Sequence, residues 1–285
     1  MDSEPGGSPM NNAPIKISRV IRPLRGGSQA QLVRCEDGHF YAAKFAGNPQ
    51  GNRTLINEWI AYGILSRTDI TTPPLRILEL SSKHDDLYFA VGNRRNFPEG
   101  TLHLGSQCPV NPETTAIFDF LPHGLLANVR NLADFARIYV YDQWFGQADK
   151  RQAVFVRDKS VIGGPNLKAY FVDHGQAFNG AHWALRDMPL SGLAFPTRVY
   201  SMIDMSALAE SAIAQIETID KQTLFATTEG VPSSWLGQGD RDRLHDLLCR
   251  LRRRQATFRP LIARHLSALD EHVFAHCTRA GFGNR

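Results

Sequence analysis

The sequence predicts an α+β fold of two lobes, a small and mostly β N-lobe followed by a larger helical C-lobe. Alternating apolar residues and turn signals dominate residues 15–91, and helical periodicity dominates residues 203–275. Between these patterns, residues 92–111 are rich in Gly, Asn, Pro and Arg, which predicts an irregular stretch that begins at a crossover between lobes. The predicted divisions are a disordered tail over residues 1–13, an N-lobe over 14–91 and a C-lobe over 92–285.

Composition bounds the class of protein. The 285 residues are 42% apolar, which is enough for a sizeable core and excludes a chain that is disordered throughout. A net charge of +4 is compatible with phosphate ligands but is too small to indicate a nucleic-acid partner. The four cysteines are scattered without a zinc-type spacing, and neither a signal-peptide pattern nor a long apolar run occurs. We therefore expect reduced thiols, no membrane partner and a cytoplasmic location.

Each N-lobe element has a local signal. Asp37-Gly38 is a strong hairpin signal, and apolar residues at helical spacing precede the helix-breaking Thr72-Pro73-Pro74. The predicted strands cover residues 15–24, 30–35, 39–45, 77–80 and 87–91, and the predicted helix covers residues 53–66.

The C-lobe begins with a helix over residues 132–145, for which Asn131 is the predicted N-cap. Asp142 on this helix is expected to have a structural role, with hydrogen bonds to loop backbone. Two short strands follow, over residues 153–156 and 169–172, and later helices are predicted over residues 203–219, 234–254 and 256–275. The arginine-rich run over residues 250–254 is interpreted as a solvated helix face, with a phosphate-rich or acidic partner as the alternative.

Lys44 is the first candidate functional residue. Strand alternation places Ala42 and Lys44 on one face, where a small alanine leaves room for a flat base and the lysine reaches phosphate oxygens. Glu58 lies at the edge of the apolar stripe of the predicted helix, where it could face Lys44 and fix its ammonium group. Upstream, the turn Gly26-Gly27-Ser28 would let backbone N–H groups approach phosphates, although it matches no established phosphate loop and an ordinary turn is an equal alternative.

Two aspartates framed by apolar runs are the most informative feature of the chain. Asp149 follows the helix that ends near Gly146, and Asp173 follows a buried-looking strand. Phosphoryl transfer needs such a pair, because one carboxylate orients the nucleophile and another holds the metal. Lys150 and Arg151 could neutralise the transferring phosphate, and Gly175 would permit the sharp turn that aims Asp173.

Each of these residues has an ordinary structural explanation when it is taken alone. A lysine on an edge strand, a glutamate beside an apolar stripe and an aspartate in a turn are all common. His174, beside Asp173, is expected to order the turn, with a ligand role as the alternative. The functional interpretation depends on the order of the set, in which a glycine-rich turn, a lysine, a glutamate and two aspartates each lie on the expected element.

Four segments resemble the HipA-like kinases, a branch of the protein-kinase-like fold, and they cover about residues 15–200. The resemblance implies a stand-alone bacterial kinase domain that uses ATP and Mg²⁺, with Lys44 on the phosphates, Glu58 pairing it, Asp149 as catalytic base and Asp173 as metal ligand. The segments are residues 26–44, 55–58, 142–151 and 170–178. The nucleotide contacts predicted on this basis are Gly26, Gly27, Ser28, Ala42, Lys44 and Val91.

One position departs from the family pattern. The family usually has an asparagine five residues after the catalytic aspartate as a second metal ligand, and this chain has Val154 there. Gln152 is the nearby amide whose oxygen could ligate the metal instead. The resemblance implies transfer of the γ-phosphoryl group of ATP to a hydroxyl, with a protein Ser or Thr as the favoured acceptor, and the departure at Val154 adds reduced or absent activity as an alternative outcome. The alternatives are a nucleotide-binding pseudokinase that acts as a regulatory scaffold and a phosphotransferase or nucleotidyltransferase that acts on a small molecule.

Overall fold

The structure is a computed structural model that describes residues 13–80, 98 and 100–281. Its fold is α+β, as predicted, with strands in the N-terminal part and helices in the C-terminal part. Among the described residues, no helix combines the length with the apolar composition that crossing a bilayer requires.

Five strands form a closed barrel in the order β1-β2-β3-β5-β4. Strands β1 and β4 pair in parallel, and the other neighbours are antiparallel. The β2–β3 hairpin turns at Asp37-Gly38, as predicted, because Gly38 adopts a φ of 82° that suits glycine. The strands are β1 (Ile15–Pro23), β2 (Gln31–Cys35), β3 (Phe40–Lys44), β4 (Leu75–Leu80) and β5 (Leu102–Gln107).

The expectation that residues 92–111 are irregular is wrong for β5. This strand has no β-branched residue, so local propensity does not reveal it. Its conformation is set instead by pairing with β3 on one side and β4 on the other. The strand predicted over residues 87–91, together with the candidate nucleotide contact Val91, lies outside the described residues.

Helix α1 (Arg53–Leu65) lies between β3 and β4 in the chain and matches the predicted helix closely. Helix α2 (Ala133–Phe145) ends at Gly146, which has a left-handed φ of 69°, as expected of a helix C-terminus. The prediction of Asn131 as the N-cap of α2 is wrong. The Asn131 side chain instead bonds the backbone of Ala169 in both directions, at 2.9 and 3.0 Å, and so ties the start of α2 to a neighbouring strand.

A three-stranded sheet combines two strands that follow α2 with one short strand that precedes it, and helices follow the sheet in the chain. Strands β7 (Gln152–Arg157) and β8 (Leu167–Val172) form the predicted hairpin, and β6 (Ile117–Phe118) pairs on the outer side of β7. The remaining α-helices are α3 (Met205–Thr218), α4 (Lys221–Ala226), α5 (Asp240–Ala256) and α6 (Phe258–Gly281).

In the part of the chain that the structure describes, two clusters of buried apolar residues form the core. One fills the barrel and includes Tyr41 and Ala43 from β3 and Phe45, the residue after it. The larger one joins α1 to the β7–β8 hairpin and to the later helices, so Trp59 of α1 and Trp144 of α2 belong to a single core. Helix α1 is therefore packed against the segments that follow the barrel in the chain, and this packing fixes β3 relative to the hairpin.

Candidate functional site

Strand β3 presents Lys44 as the alternation predicts. Tyr41, Ala43 and Phe45 face the barrel interior, so Ala42 and Lys44 lie on the opposite face of the strand. Lys44 is only 8% exposed, which excludes the alternative of a solvated lysine on an edge strand.

The ammonium group of Lys44 contacts two carboxylates. Its Nζ atom lies 2.5 Å from Oε2 of Glu58 and 2.6 Å from Oδ1 of Asp173. Burial opposes the charged form of Lys44, but attraction to Glu58 and Asp173 outweighs burial and raises the lysine pKa. Burial likewise opposes ionisation of Asp173, and attraction to Lys44 outweighs it and lowers the aspartate pKa. Both groups are therefore charged at neutral pH, as binding of a phosphate and a cation would require.

The turn that carries Asp173 has a left-handed backbone. Asp173 itself adopts a φ of 61°, which is uncommon for a residue other than glycine and is tolerated by aspartate. The prediction that Gly175 supplies the sharp turn is therefore wrong. A glycine suits position 175 because a Cβ atom there would lie 3.3 Å from both the Cβ and the carbonyl oxygen of Thr54 on α1, which is closer than ordinary van der Waals contact. Gly175 lets the Asp173 turn approach α1 closely.

Asn57, adjacent to Glu58 on α1, holds the loop that follows Asp173. Its amide nitrogen lies 2.9 Å from the carbonyl oxygens of Gly175, Ala177 and Gly180, which share its two N–H donors. Its side-chain oxygen accepts from Nε1 of Trp183 at 2.7 Å. Asn57 is fully buried, and sequence reasoning gave it no role. Its position inside the apolar stripe of α1 is the signal that could have identified it, because a buried amide needs several partners.

Asp149 and Asp173 are connected through Arg151. The Arg151 guanidinium donates to the carbonyl oxygens of Val172 at 2.9 Å and Asp173 at 3.2 Å, and it forms a two-bond ion pair with Asp142. The side chains of Arg151 and Asp142 have no exposed surface. The prediction that Arg151 neutralises phosphate is therefore wrong, because its charge is used inside the protein. The expected bond from Asp142 to loop backbone is replaced by the pair with Arg151.

Asp149 itself is exposed, as a residue that meets an incoming hydroxyl should be. Its Oδ1 atom accepts the N–H of Lys150 at 2.7 Å, and its carbonyl oxygen accepts the N–H of Gly192 at 2.9 Å. Lys150 is also exposed and stays a candidate for contact with phosphate. Gly192 has a φ of 72°, and a Cβ atom there would lie 2.7 Å from Cβ of Asp142, so this contact requires glycine.

The glycine-rich turn connects β1 to β2. The N–H of Leu24 donates to the carbonyl oxygen of Ala30 at 2.8 Å and closes the turn. Gly26 has a φ of 130°, which favours glycine, and both Gly26 and Gly27 are exposed. Ser28 is buried. The accessible part of this turn is therefore its glycine backbone, and a phosphate contact by these residues stays a prediction.

Gln152 lies beside the expected metal ligand. Its Nε2 atom donates to Oδ2 of Asp173 at 3.0 Å, so rotation of the amide would turn its oxygen toward the same place. No cluster of three His, Cys, Asp or Glu side chains suited to a metal occurs among the described residues. Magnesium does not need one, because one or two protein oxygens together with substrate phosphates commonly hold it. Asp173 and Gln152 fit that requirement.

The arginine-rich run on α5 is only partly solvated. Arg252 and Arg253 are exposed, as expected. Arg250 donates to the carbonyl oxygen of Trp183 at 3.0 Å, and Arg254 bonds Asp187 at 2.7 Å and the carbonyl oxygen of Gln143 at 2.9 Å. The interpretation as a wholly solvated face is therefore wrong for Arg250 and Arg254, which join α5 to neighbouring segments.

Comparison with solved structures identifies the class of fold. The crystal structure of the Golgi casein kinase matches 90% of this chain and 75% of its own, with a TM-score of 0.50 and 11% sequence identity. A second structure of the Golgi casein kinase, with Mn and ADP bound, matches 91% of this chain and 72% of its own, with a TM-score of 0.35 and 11% identity. The first match shows that the chain has a kinase-like fold. No curated protein matches the sequence.

The family follows from the sequence model of the HipA-like kinases, which matches residues 17–256. The match spans the barrel, the Lys44–Glu58–Asp173 cluster, the loop that carries Asp149 and the first five α-helices. The chain belongs to the HipA-like kinase family, as the resemblance predicted.

Proposed function

We propose that this protein is an ATP- and divalent-metal-dependent kinase that transfers the γ-phosphoryl group of ATP to a hydroxyl group, with a protein Ser or Thr as the favoured acceptor. The observation that carries the proposal is the contact of Lys44 with both Glu58 and Asp173, at 2.5 and 2.6 Å. Strand β3 and helix α1 are consecutive elements, whereas Asp173 at the end of β8 lies 129 residues after Lys44. Their convergence on one ammonium group supports a two-lobed, nucleotide-binding arrangement.

Each residue of the site has a separate role in the proposed reaction. Lys44 steadies phosphate oxygens, and Glu58 keeps the ammonium group in place. Asp149 accepts the proton of the acceptor hydroxyl while the hydroxyl oxygen forms a bond to the γ-phosphorus of ATP. The bond between the γ-phosphorus and the β–γ bridging oxygen breaks, and ADP is released. Asp173 and Gln152 would hold the divalent cation, preferably Mg²⁺. When bound, the cation neutralises charge on the phosphates.

Variants of single residues test the proposal. Asp149→Asn keeps the shape of an exposed side chain but removes the base, so we expect ATP to stabilise it thermally as in wild type while turnover falls about 10²- to 10⁴-fold. Asp173→Asn removes a negative charge from the cation site and should lose both turnover and the metal-dependent part of the thermal shift. Asp242→Asn, at an exposed position on α5, is the matched control and should leave both unchanged.

Absence of any ATP-induced thermal shift in wild type would overturn the proposal, and so would full turnover in Asp149→Asn.

The specific observation that favours a second candidate function is Val154 in the position of the usual metal-binding asparagine, on the half-buried part of β7. A chain with this departure could bind nucleotide and act as a regulatory scaffold without transfer. A thermal shift with ATP but no turnover, in the presence of Mg²⁺ or Mn²⁺, would support that candidate.

A further inference from the structure

Three exposed phenylalanines lie in segments next to the loop that carries Asp149. Phe118, Phe120 and Phe195 are 41%, 51% and 62% exposed. The rings of Phe120 and Phe195 stack with centroids 6.3 Å apart and planes at 27°. Single exposed apolar residues are ordinary on protein surfaces, whereas aromatic rings that stack in solvent form a contiguous apolar patch, which is typical of an interaction site.

Backbone contacts place Phe195 near Asp149. The backbone N–H of Gly192 donates to the carbonyl oxygen of Asp149 at 2.9 Å, and the backbone N–H of Arg151 donates to the carbonyl oxygen of Leu193 at 3.0 Å. Ala194 then forms a parallel bridge with Arg151, and Phe195 is the next residue. Three residues of chain span at most about 10 Å, so the backbone of Phe195 lies within about that distance of the contact between Gly192 and Asp149.

The sheet supplies the other side of the patch. Phe118 lies on β6, where it is paired with Phe155 of β7, and Phe120 follows two residues later in the chain. Strand β6 is at the edge of the sheet β6-β7-β8, and an edge strand offers main-chain groups on its outer side. Extended peptides bind to other proteins through two such features. Their main chain pairs with an edge strand, and one of their side chains enters an apolar pocket.

We propose that Phe118, Phe120 and Phe195 form a docking surface for a polypeptide acceptor, with an apolar side chain about three residues from the hydroxyl that receives phosphate. This inference rests on the proposed function and names the substrate class for it. A small alcohol has no main chain that could pair with the edge of β6, whereas a polypeptide acceptor does. A single-stranded nucleic acid could stack on the rings, but the exposed carboxylate of Asp119 between Phe118 and Phe120 repels its phosphates.

A peptide array tests the docking surface. Each peptide has one Ser in a background of Gly, Ala and Lys, with a Leu placed at each position from five before to five after the Ser. The full-length protein is incubated with γ-labelled ATP and Mg²⁺. We expect a Leu two to four residues from the Ser, on one side, to raise kcat/KM about tenfold over the Ala peptide. In Phe120→Ala/Phe195→Ala this preference should disappear, while ATP stabilises the variant thermally as it does wild type.

Two further variants separate docking from folding. Ile162→Ala is the matched control, because Ile162 is 95% exposed in the loop at the far end of the β7–β8 hairpin, and it should keep the Leu preference. Phe195→Leu retains an apolar side chain at this position, so this variant should keep part of the preference for peptides that contain Leu.

Three results would overturn the docking surface. They are an unchanged Leu preference in the double variant, phosphorylation of none of the peptides while Asp149-dependent ATP turnover persists, and binding of oligo-dT that is lost in the double variant. Absence of both ATP binding and turnover in wild type is a different result, because it contradicts the proposed function itself.

Discussion

The buried pair of Asp142 and Arg151 allows the sharpest prediction about how the site is built. Arg151 Nε lies 2.8 Å from Oδ2 of Asp142, and a second bond joins the same two groups. At that separation an effective dielectric constant of 20 gives about 6 kcal/mol of attraction, most of which offsets the cost of taking two charges out of water. Asp142→Asn leaves the arginine charge buried without its counter-ion. We expect a loss of about 3–5 kcal/mol of unfolding free energy.

A double-mutant cycle separates the pair from its surroundings. Asp142→Leu/Arg151→Met replaces both charges by apolar groups of similar size, so we expect it to be more stable than Asp142→Leu or Arg151→Met alone. Unfolding by urea at 25 °C measures all four proteins. Arg151→Met also removes the bonds to the carbonyl oxygens of Val172 and Asp173. ATP turnover should therefore stay low in the double variant even where its stability recovers.

Two outcomes would refute this reasoning. A cost below about 1 kcal/mol for Asp142→Asn would mean that water reaches the pair and that its burial is not energetically important. Recovery of turnover together with stability in the double variant would mean that Arg151 does not position the Asp149 loop through its carbonyl contacts.

Three further predictions concern stability. Gly192→Ala should lower the unfolding free energy by about 2–4 kcal/mol, because its Cβ would lie 2.7 Å from Cβ of Asp142. Gly163 has a similar φ of 78° but open space around it, so Gly163→Ala should cost about 1 kcal/mol. Urea unfolding measures both variants. Asn57→Ala should cost about 3 kcal/mol in the same assay, since three carbonyl groups lose their donor. Burial lowers the pKa of His103 to about 3, so the unfolded state binds more protons below pH 6.5. Unfolding free energy should fall by about 2 kcal/mol more between pH 7 and pH 5 in wild type than in His103→Asn. Equal costs for the two glycine variants, a cost under 1 kcal/mol for Asn57→Ala, or equal pH dependence for the histidine variant would contradict these predictions.

Much of the fold could be predicted from sequence because its signals are local. The Asp37-Gly38 turn and the period-2 pattern of β3 depend on neighbouring residues, and both are confirmed. Strand β5 was missed because pairing with β3 and β4, not its own composition, makes it a strand. Asn131 was misassigned because its side-chain oxygen accepts the N–H of Ala169, 38 residues away, and no backbone N–H of the adjacent helix.

The candidate site shows the same division. Lys44, Glu58 and Asp173 could be predicted because motif spacing and strand alternation reflect their chemistry, and the structure brings them into contact. The wrong role for Arg151 arose because sequence shows a charge but not whether that charge is buried. The wrong reason for Gly175 arose because its close approach to Thr54 involves two segments that only the tertiary fold brings together.

The residues that hold the site in place are not the ones proposed to carry out the chemistry. Asn57 and Arg151 hold backbone carbonyls of the Asp173 turn through buried side chains, and Gly192 holds the carbonyl of Asp149. Each contact joins segments distant in sequence, so losing one should alter stability and the relative positions of Asp149 and Asp173 together. Asp149 is exposed, so its replacement should alter chemistry with little effect on stability. Loss of activity with an unchanged unfolding free energy is therefore expected for variants of Asp149, and loss of both is expected for variants of Asn57, Arg151 and Gly192.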